Sequence, residues 1–258
     1  ATVNGEQKEL RKPWWDQIQV WRQAHPLTYQ QEKDGPIKPQ QVVKRLYELT
    51  KDRDPIVSTD VGQHQMWAAQ YFKLAKPNRW LTSGGLGTMG FGFPAAMGAQ
   101  AAFRNRLVLC IAGDGSIQMN MQEMATAVVS KLPVKIIILN NRFHGMVRQW
   151  QDLFYNGRYA SSDLENTPDF VKLAEAYGAV GLRANTMADL DGVLKKAIET
   201  EGPVIVDVPT YRFENCYPMI PAGGCNHEML LEDPPELKQK QAGGKNVTPE
   251  DKDTVLTA

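Results

Sequence analysis

"RLVLCIAGDGS", residues 106–116, sets six consecutive apolar residues against an abrupt Gly-Asp-Gly-Ser ending. A half-exposed strand alternates polar and apolar residues; an unbroken apolar run is what a strand buried on both faces requires. A second run of this kind, "PVKIIILN" at 133–140, stops at Asn140-Asn141, and the stretch between the two, "NMQEMATAVVSK", reads as a helix. Working outward, "DPIVSTD" (54–60), "VGLRA" (180–184) and "PVIVDVP" (203–209) read as further strands. The segments 39–50, 63–75, 93–102, 170–178 and 187–199 carry helical patterns between them. Strands alternating with helices predict an α/β fold, a doubly wound and mostly parallel sheet of about six strands covered on both faces.

That alternation occupies residues 37–210. Residues 1–36 read as a lead-in: a short amphipathic helix at "WWDQIQVW" and a linker at "QQEKDGP". Residues 211–258 are expected to form a C-terminal extension, extended or disordered from 232 onward. There is no internal repeat. The 258 residues carry 29 basic and 29 acidic side chains, so charge points to neither nucleic acid nor an anionic membrane. No apolar run approaches the roughly 20 residues that span a bilayer. The amino-terminal residues show neither a signal-peptide core nor transit-peptide composition. The chain begins at Ala1 without an initiator Met, and is expected to be a processed or truncated piece of something longer. Cys110, Cys216 and Cys225 are odd in number and form no CxxC pair, which favours a reducing compartment. Cys225 and His227 are two ligands where a zinc site needs more.

"GGLGTMGFG", residues 84–92, contains Gly85-x-Gly87-x-x-Gly90, the spelling of a dinucleotide-binding loop. Such a loop needs a hydrophobic strand before it, a helix after it and an acid about 20 residues on. A helix and Asp114 follow, but "PNRWLTS" is a poor strand, so the spelling leaves both a nucleotide loop and a coincidence open. In a doubly wound sheet, ligands sit beyond the carboxyl ends of the strands. Asp114 and Asn141 stand at two such ends, 27 positions apart, about one strand–helix–strand unit. A carboxylate and an amide oxygen are hard ligands suited to magnesium or calcium. Gly113 and Gly115 would let a diphosphate approach the backbone, and the amides around Ser116 open the next helix, where an anion is favoured. Asp-Gly turns and Asn-Asn strand exits are also common structural features when taken singly. The oxygen spacing of an EF-hand is absent.

Gly113-Asp114-Gly115 followed by Asn140-Asn141 resembles the thiamin diphosphate motif of thiamin-dependent enzymes. More closely, "GQHQMWAAQ", "SGGLGTMGFGFPAAMGA", "GDGSIQMN", "LNNRFHGMVRQWQ" and "AGGCNHEML" resemble acetohydroxyacid synthase (acetolactate synthase) from about residue 40 to 230. The resemblance implies the carboxyl-terminal, diphosphate-binding domain of that enzyme. By it, Asp114, Asn141 and the carbonyl of Phe143 would ligate magnesium. Gln63 and His64 would touch the diphosphate, with Gly113, Gly115, Ser116, His144 and a turn at Gly145-Met146 around the cofactor. Met89 would be the wedge that bends thiamin diphosphate, and Gly87 would offer its carbonyl to the pyrimidine nitrogen. The fingerprint spelling would then be coincidental. Trp150 would line the pocket for the second substrate, which is also a herbicide surface. His144 departs from the family, where an aliphatic residue is usual, and its effect on local polarity is left open.

The implied activity is condensation of pyruvate with pyruvate or 2-ketobutyrate, with loss of carbon dioxide, in branched-chain amino-acid synthesis. The glutamate that activates the cofactor belongs to an amino-terminal domain supplied by a partner subunit, and the central domain holds FAD. No segment here matches either, so these residues alone are expected to be inactive. The implied partners are those domains, a second copy of the enzyme in a dimer or tetramer, and a regulatory subunit. The compartment would be the cytoplasm in a bacterium, and a mitochondrion or chloroplast in a eukaryote. A catabolic acetolactate synthase, a pyruvate oxidase, a nicotinamide oxidoreductase and a non-catalytic binding module remain alternatives.

Overall fold

The computed structural model describes residues 5–74 and 76–242, and the chain divides into two units, Ala1–Glu32 and Lys33–Ala258. The first unit is essentially one helix, α1 (Gly5–Ala24). It extends beyond the expected segment in both directions because Lys8, Glu9, Leu10 and Arg11 are good helix formers, which outweigh Pro13 inside it. The helix ends just before His25-Pro26, since a residue that precedes proline avoids helical geometry. Trp14 and Trp21 meet edge to face at 5.4 Å, and Lys12 pairs with Asp16 one turn on.

The second unit runs α2 (Pro39–Thr50), β1 (Ile56–Thr59), α3 (Gln63–Tyr71), β2 (Trp80–Leu81), α4 (Gly92–Ala102) and β3 (Val108–Gly113). It continues with α5 (Asp114–Ile117), α6 (Met124–Val129), β4 (Lys135–Asn140), α7 (Gly145–Phe154), α8 (Phe170–Ala176), β5 (Val180–Arg183), α9 (Met187–Glu199), β6 (Val204–Pro209) and α10 (Pro235–Ala242). All six strands are parallel, in the order β2-β1-β3-β4-β6-β5. The poor strand at Trp80 is only two residues long and lies at the edge, where a short strand presents little unpaired backbone.

Strand residues divide by parity between two cores. Val57, Leu109, Ile111, Ile137, Val204 and Val206 pack with side chains of α2, α3 and α9. Ile56, Val108, Cys110, Ile136, Ile138 and Ile205 pack with α4, α6 and α8 on the other face. This two-sided burial is why β3 and β4 are apolar at nearly every position. Two helix starts are closed by side chains: Asp169 accepts from the Val171 and Lys172 amides, and Thr186 with Asp189 forms a capping box.

From β1 the chain goes to β2 on one side and, by α4, back across to β3 on the other, so the winding reverses between β1 and β3. A doubly wound sheet opens its ligand crevice at that point. Two elements were absent from the sequence reading: the Gly145-Met146 "turn" is the first turn of α7, and α10 lies within the segment expected to lack structure. Residues 243–258 lie outside the described residues. Leu109 is wholly buried at the centre of one core. Leu109→Ala is therefore expected to cost about 2–5 kcal/mol of unfolding free energy, measured by denaturant titration.

Candidate functional site

Strands β1, β3 and β4 end side by side, and helices α3, α5 and α7 start within a few residues of those ends. Helix starts carry unpaired N–H groups and the positive end of the helix dipole, so this edge favours an anion. Side chains crowd onto its glycines. A Cβ on Gly113 would lie 2.7 Å from His64 Nδ1, and one on Gly115 would lie 2.7 Å from His144 Nδ1. One on Gly145 would overlap Gln63 Oε1. Ser116 Oγ accepts the Gly113 N–H at 3.1 Å and lies 3.4 Å from His64 Nε2. Burial pushes the His64 imidazole down to about 4, against the pull of Asp60, so its ring is neutral at pH 7.

Asp114 is 1% exposed, and its Oδ2 has no hydrogen-bond partner. Burial pushes its carboxyl up to about 7. The backbone amides of Asp114, Gly115 and Arg142 oppose that rise, and the charge of Asp207 adds to it. A buried carboxylate oxygen without a partner is costly, and a cation beside it would remove the cost. Asn141, one residue past β4, accepts the Phe143 N–H at 3.0 Å on Oδ1 and donates Nδ2 to Gln63 Oε1 at 3.2 Å. Between them Arg142 takes a left-handed φ of 56°. That conformation is held by the Leu164 N–H on the Arg142 carbonyl at 2.9 Å and the His144 N–H on the Ser162 carbonyl at 2.8 Å. A carboxylate and a side-chain amide oxygen at adjacent strand ends are hard donors, of the kind that suits magnesium with phosphate oxygens completing its shell. Among the described residues no group of three or more His, Cys, Asp or Glu side chains is gathered for a metal.

The glycine loop is built around a residue that sequence reasoning took only as a strand end. Asp60 is fully buried, and its Oδ1 accepts the Val61 N–H at 2.8 Å and the Gly90 N–H at 2.9 Å. Its Oδ2 accepts the Gly92 N–H at 2.9 Å. Asn120 adds a bond to the Gly90 carbonyl at 2.7 Å, and Ser83 Oγ accepts the Thr88 N–H at 3.0 Å. The loop is thus pinned at both ends. Gly87 is exposed with φ 64°, and Met89 is half-buried beside the anchor. In a dinucleotide loop the start of the following helix faces pyrophosphate. Here the Asp60 carboxylate occupies the start of α4, and the preceding strand is a two-residue edge, so the fingerprint reading fails. A hint was available in the sequence: Asp60 is an acid at the end of a strand bordering the crevice.

Trp150 lies partly exposed on α7, edge to face with Phe154 at 5.2 Å, whereas Met146 packs against the α2/α3/α9 core. Gln149, also on α7 and not singled out from sequence, is fully buried and bonded to Gln63 at 2.9 Å. Cys225 is exposed, and its N–H is held by Glu228.

Residues 60–208 match the family described as "Thiamine pyrophosphate enzyme, C-terminal TPP binding domain". The chain belongs to that family. The matched segment opens on Asp60, the residue just past β1, and contains β2 through all but the last residue of β6. The chain is 49% identical over 223 residues, 85% of its length, to the acetolactate synthase isozyme 3 large subunit of Escherichia coli (strain K12). It is 46% identical over 245 residues, 92% of its length, to the mitochondrial acetolactate synthase catalytic subunit of Saccharomyces cerevisiae. It is also 48% identical over 226 residues, 87% of its length, to the acetolactate synthase large subunit of Parasynechococcus marenigrum. The chain spans 36–38% of the length of these relatives.

Two outcomes follow for this thiamine pyrophosphate-binding domain. Asp60→Ala should strip the acceptor from the Gly90 and Gly92 amides, each buried N–H left unpaired costing about 1–3 kcal/mol. Hydrogen exchange at those two amides should accelerate, while exchange in β4 stays slow. Asp114 sets a pH dependence without metal. Between about pH 4 and 7 the unfolded chain loses this proton while the folded chain keeps it, so stability falls as pH rises and levels off above 7. Asp114→Asn should lack that fall, as read by denaturant titrations across this range in chelator.

Proposed function

We propose that this chain is the diphosphate- and magnesium-holding part of an acetolactate synthase catalytic subunit. The observation that carries the reading is the buried Asp114 carboxylate, with an unpaired oxygen, beside Asn141 and three helix starts. Magnesium would be held by Asp114, Asn141 and the Phe143 carbonyl. The diphosphate would lie against the backbone of Gly115, Ser116, Gly145 and Met146, with the neutral His64 beside Ser116. His144, resting on Gly115, would close one side. Met89 and Gly87, on the loop pinned by Asp60, would meet the pyrimidine end of the cofactor. Bound thiamin diphosphate supplies the electron sink that lets a 2-keto acid lose carbon dioxide and join a second one. The residues here bind and orient. Asp114 and Asn141 would hold the magnesium whose charge offsets the phosphates, the glycines would admit those phosphates to the backbone, and Asp60 would keep the pyrimidine loop in place.

The substrates would be pyruvate and a second pyruvate or 2-ketobutyrate, in branched-chain amino-acid synthesis. Apolar side chains support the presence of further domains. Leu86 in the glycine loop is 95% exposed, and Val147, Trp150 and Phe154 are exposed at spacings that share one face of α7. An amino-terminal domain carrying the activating glutamate and a central FAD domain would cover this surface, in a homo-oligomer joined by a regulatory subunit. Residues 1–36, 37–210 and 211–258 would serve as linker, cofactor domain and extension. No helix among the described residues is long and apolar enough to cross a membrane. The compartment would be cytoplasmic in a bacterium and mitochondrial or plastid in a eukaryote.

Calorimetry tests the reading. Asp114→Ala in the full native protein should abolish magnesium-dependent thiamin diphosphate binding while leaving the circular dichroism of the sheet unchanged. Wild-type affinity in that variant would remove the magnesium assignment. Trp150→Leu should lower the preference for 2-ketobutyrate over pyruvate by roughly 10- to 200-fold, the range for one apolar anchor. The check is the product ratio in a two-substrate competition.

A further inference from the structure

The geometry points to Gln149 as a positioning residue that, through Gln63, fixes which end of the Asn141 amide faces the metal. This inference rests on the magnesium site proposed above. A side-chain amide can be turned end for end at nearly constant shape, so only its hydrogen bonds decide where its oxygen lies. A series of amides therefore needs an anchor whose polarity cannot reverse, and the backbone of Cys216 is such an anchor. Its N–H donates to Gln149 Oε1 at 2.8 Å, and its carbonyl accepts from Gln149 Nε2 at 2.9 Å. Turning the Gln149 amide would break both bonds.

With its oxygen so placed, Gln149 accepts from Gln63 Nε2 at 2.9 Å. The same nitrogen donates to the Glu214 carbonyl at 3.0 Å. Both amide hydrogens of Gln63 are committed to these two acceptors. Its oxygen must then point the other way, where it accepts Asn141 Nδ2 at 3.2 Å. That leaves Asn141 Oδ1 facing the Phe143 N–H, 3.0 Å away, as the oxygen that the proposed site would use. A flip at any link would set two NH₂ groups or two oxygens face to face. The whole series is enclosed: Gln149, Gln63 and Asn141 are 0%, 2% and 6% exposed. Water has little access to repair a mismatch. Gly145 completes the arrangement, since a Cβ there would overlap Gln63 Oε1 and lie 2.7 Å from Asn141 Nδ2. The Gln63 side chain thus orients a ligand, and its contribution to the diphosphate falls to its backbone N–H at the start of α3.

The test uses the full native protein saturated with thiamin diphosphate, with magnesium affinity read by calorimetry and bound Mn²⁺ counted by electron paramagnetic resonance. Gln149→Met keeps length and burial and removes both hydrogen-bonding ends. It should weaken metal binding by about 10- to 100-fold, the usual effect of losing a partner behind a metal ligand. Gln149→Glu keeps an oxygen that accepts from Gln63 and Cys216, and should bind metal within a few-fold of wild type. A role in packing alone predicts the reverse order, because a methionine fills the space and a buried carboxylate does not belong there. Wild-type metal affinity in Gln149→Met, or weaker binding in Gln149→Glu than in Gln149→Met, would overturn the inference. Should Gln149→Met not fold, Gln63→Met cuts the series one link closer to Asn141 and carries the same expectation and the same refutation. Failure of the wild type to bind thiamin diphosphate with magnesium would instead refute the site itself.

Discussion

The structure depends on one electrostatic constraint: a carboxylate placed at the end of a fully apolar strand, with nothing among the described residues to complete its solvation. Strand β3 is buried at every position, and it delivers Asp114 to the sheet edge with one oxygen unpaired. Neighbouring features are arranged around that charge. Backbone amides approach it from Gly115 and Arg142, and the left-handed Arg142 lets the chain turn between Asn141 and Phe143. A protein that only needed stability would place an apolar or paired residue there. An unpaired carboxylate beside three helix starts suits a cation and an anion together, such as magnesium with a diphosphate.

Two buried devices hold the two sides of the crevice, and they differ in kind. On the side of β1, the carboxyl group of Asp60 accepts three backbone N–H groups, which tie the first loop to the glycine loop. On the side of β4, the ties are neutral amides anchored on the backbone around Cys216. The difference suits their surroundings. Backbone N–H groups at the start of α4 satisfy a carboxylate fully. Another charged side chain bonded there would perturb the cation proposed at Asp114, whereas an amide can orient a neighbour without adding charge.

Much of this was legible in the residues themselves. The apolar runs of β3 and β4 announced a parallel sheet because burial on both faces leaves no room for alternation. Asp114 and Asn141 stood out because polar groups end those runs. The remaining strand-end residues were less visible. Asp60 follows a four-residue strand with polar Ser58 and Thr59 inside it, so its position carried no contrast. Gln149 sits in "MVRQWQ" beside Trp150, and nothing in a helix sequence marks which glutamine is buried; that depends on the Cys216 segment, 67 residues later. The glycine fingerprint is ambiguous on its own for a related reason: spelling specifies where backbone can approach closely, not which group makes the approach.

The same distinction explains why the glycines of this domain are not interchangeable. Gly87 serves left-handed backbone and Gly90 both that and a close approach by Asn120, whereas Gly113, Gly115 and Gly145 serve close approach by His64, His144 and Gln63. In the second group the neighbour is a polar side chain held by its own hydrogen bonds or packed on the motif, so it has little freedom to withdraw. An alanine at Gly145 would push the Gln63 oxygen away from Asn141 and release the amide whose orientation the site requires. An alanine at Gly87, whose nearest neighbour would be a valine methyl 3.8 Å away, would meet open space and strain only the loop. The close approaches at Gly113, Gly115 and Gly145 therefore surround the strand ends that carry Asp114 and Asn141, whereas Gly87 shapes the loop pinned by Asp60.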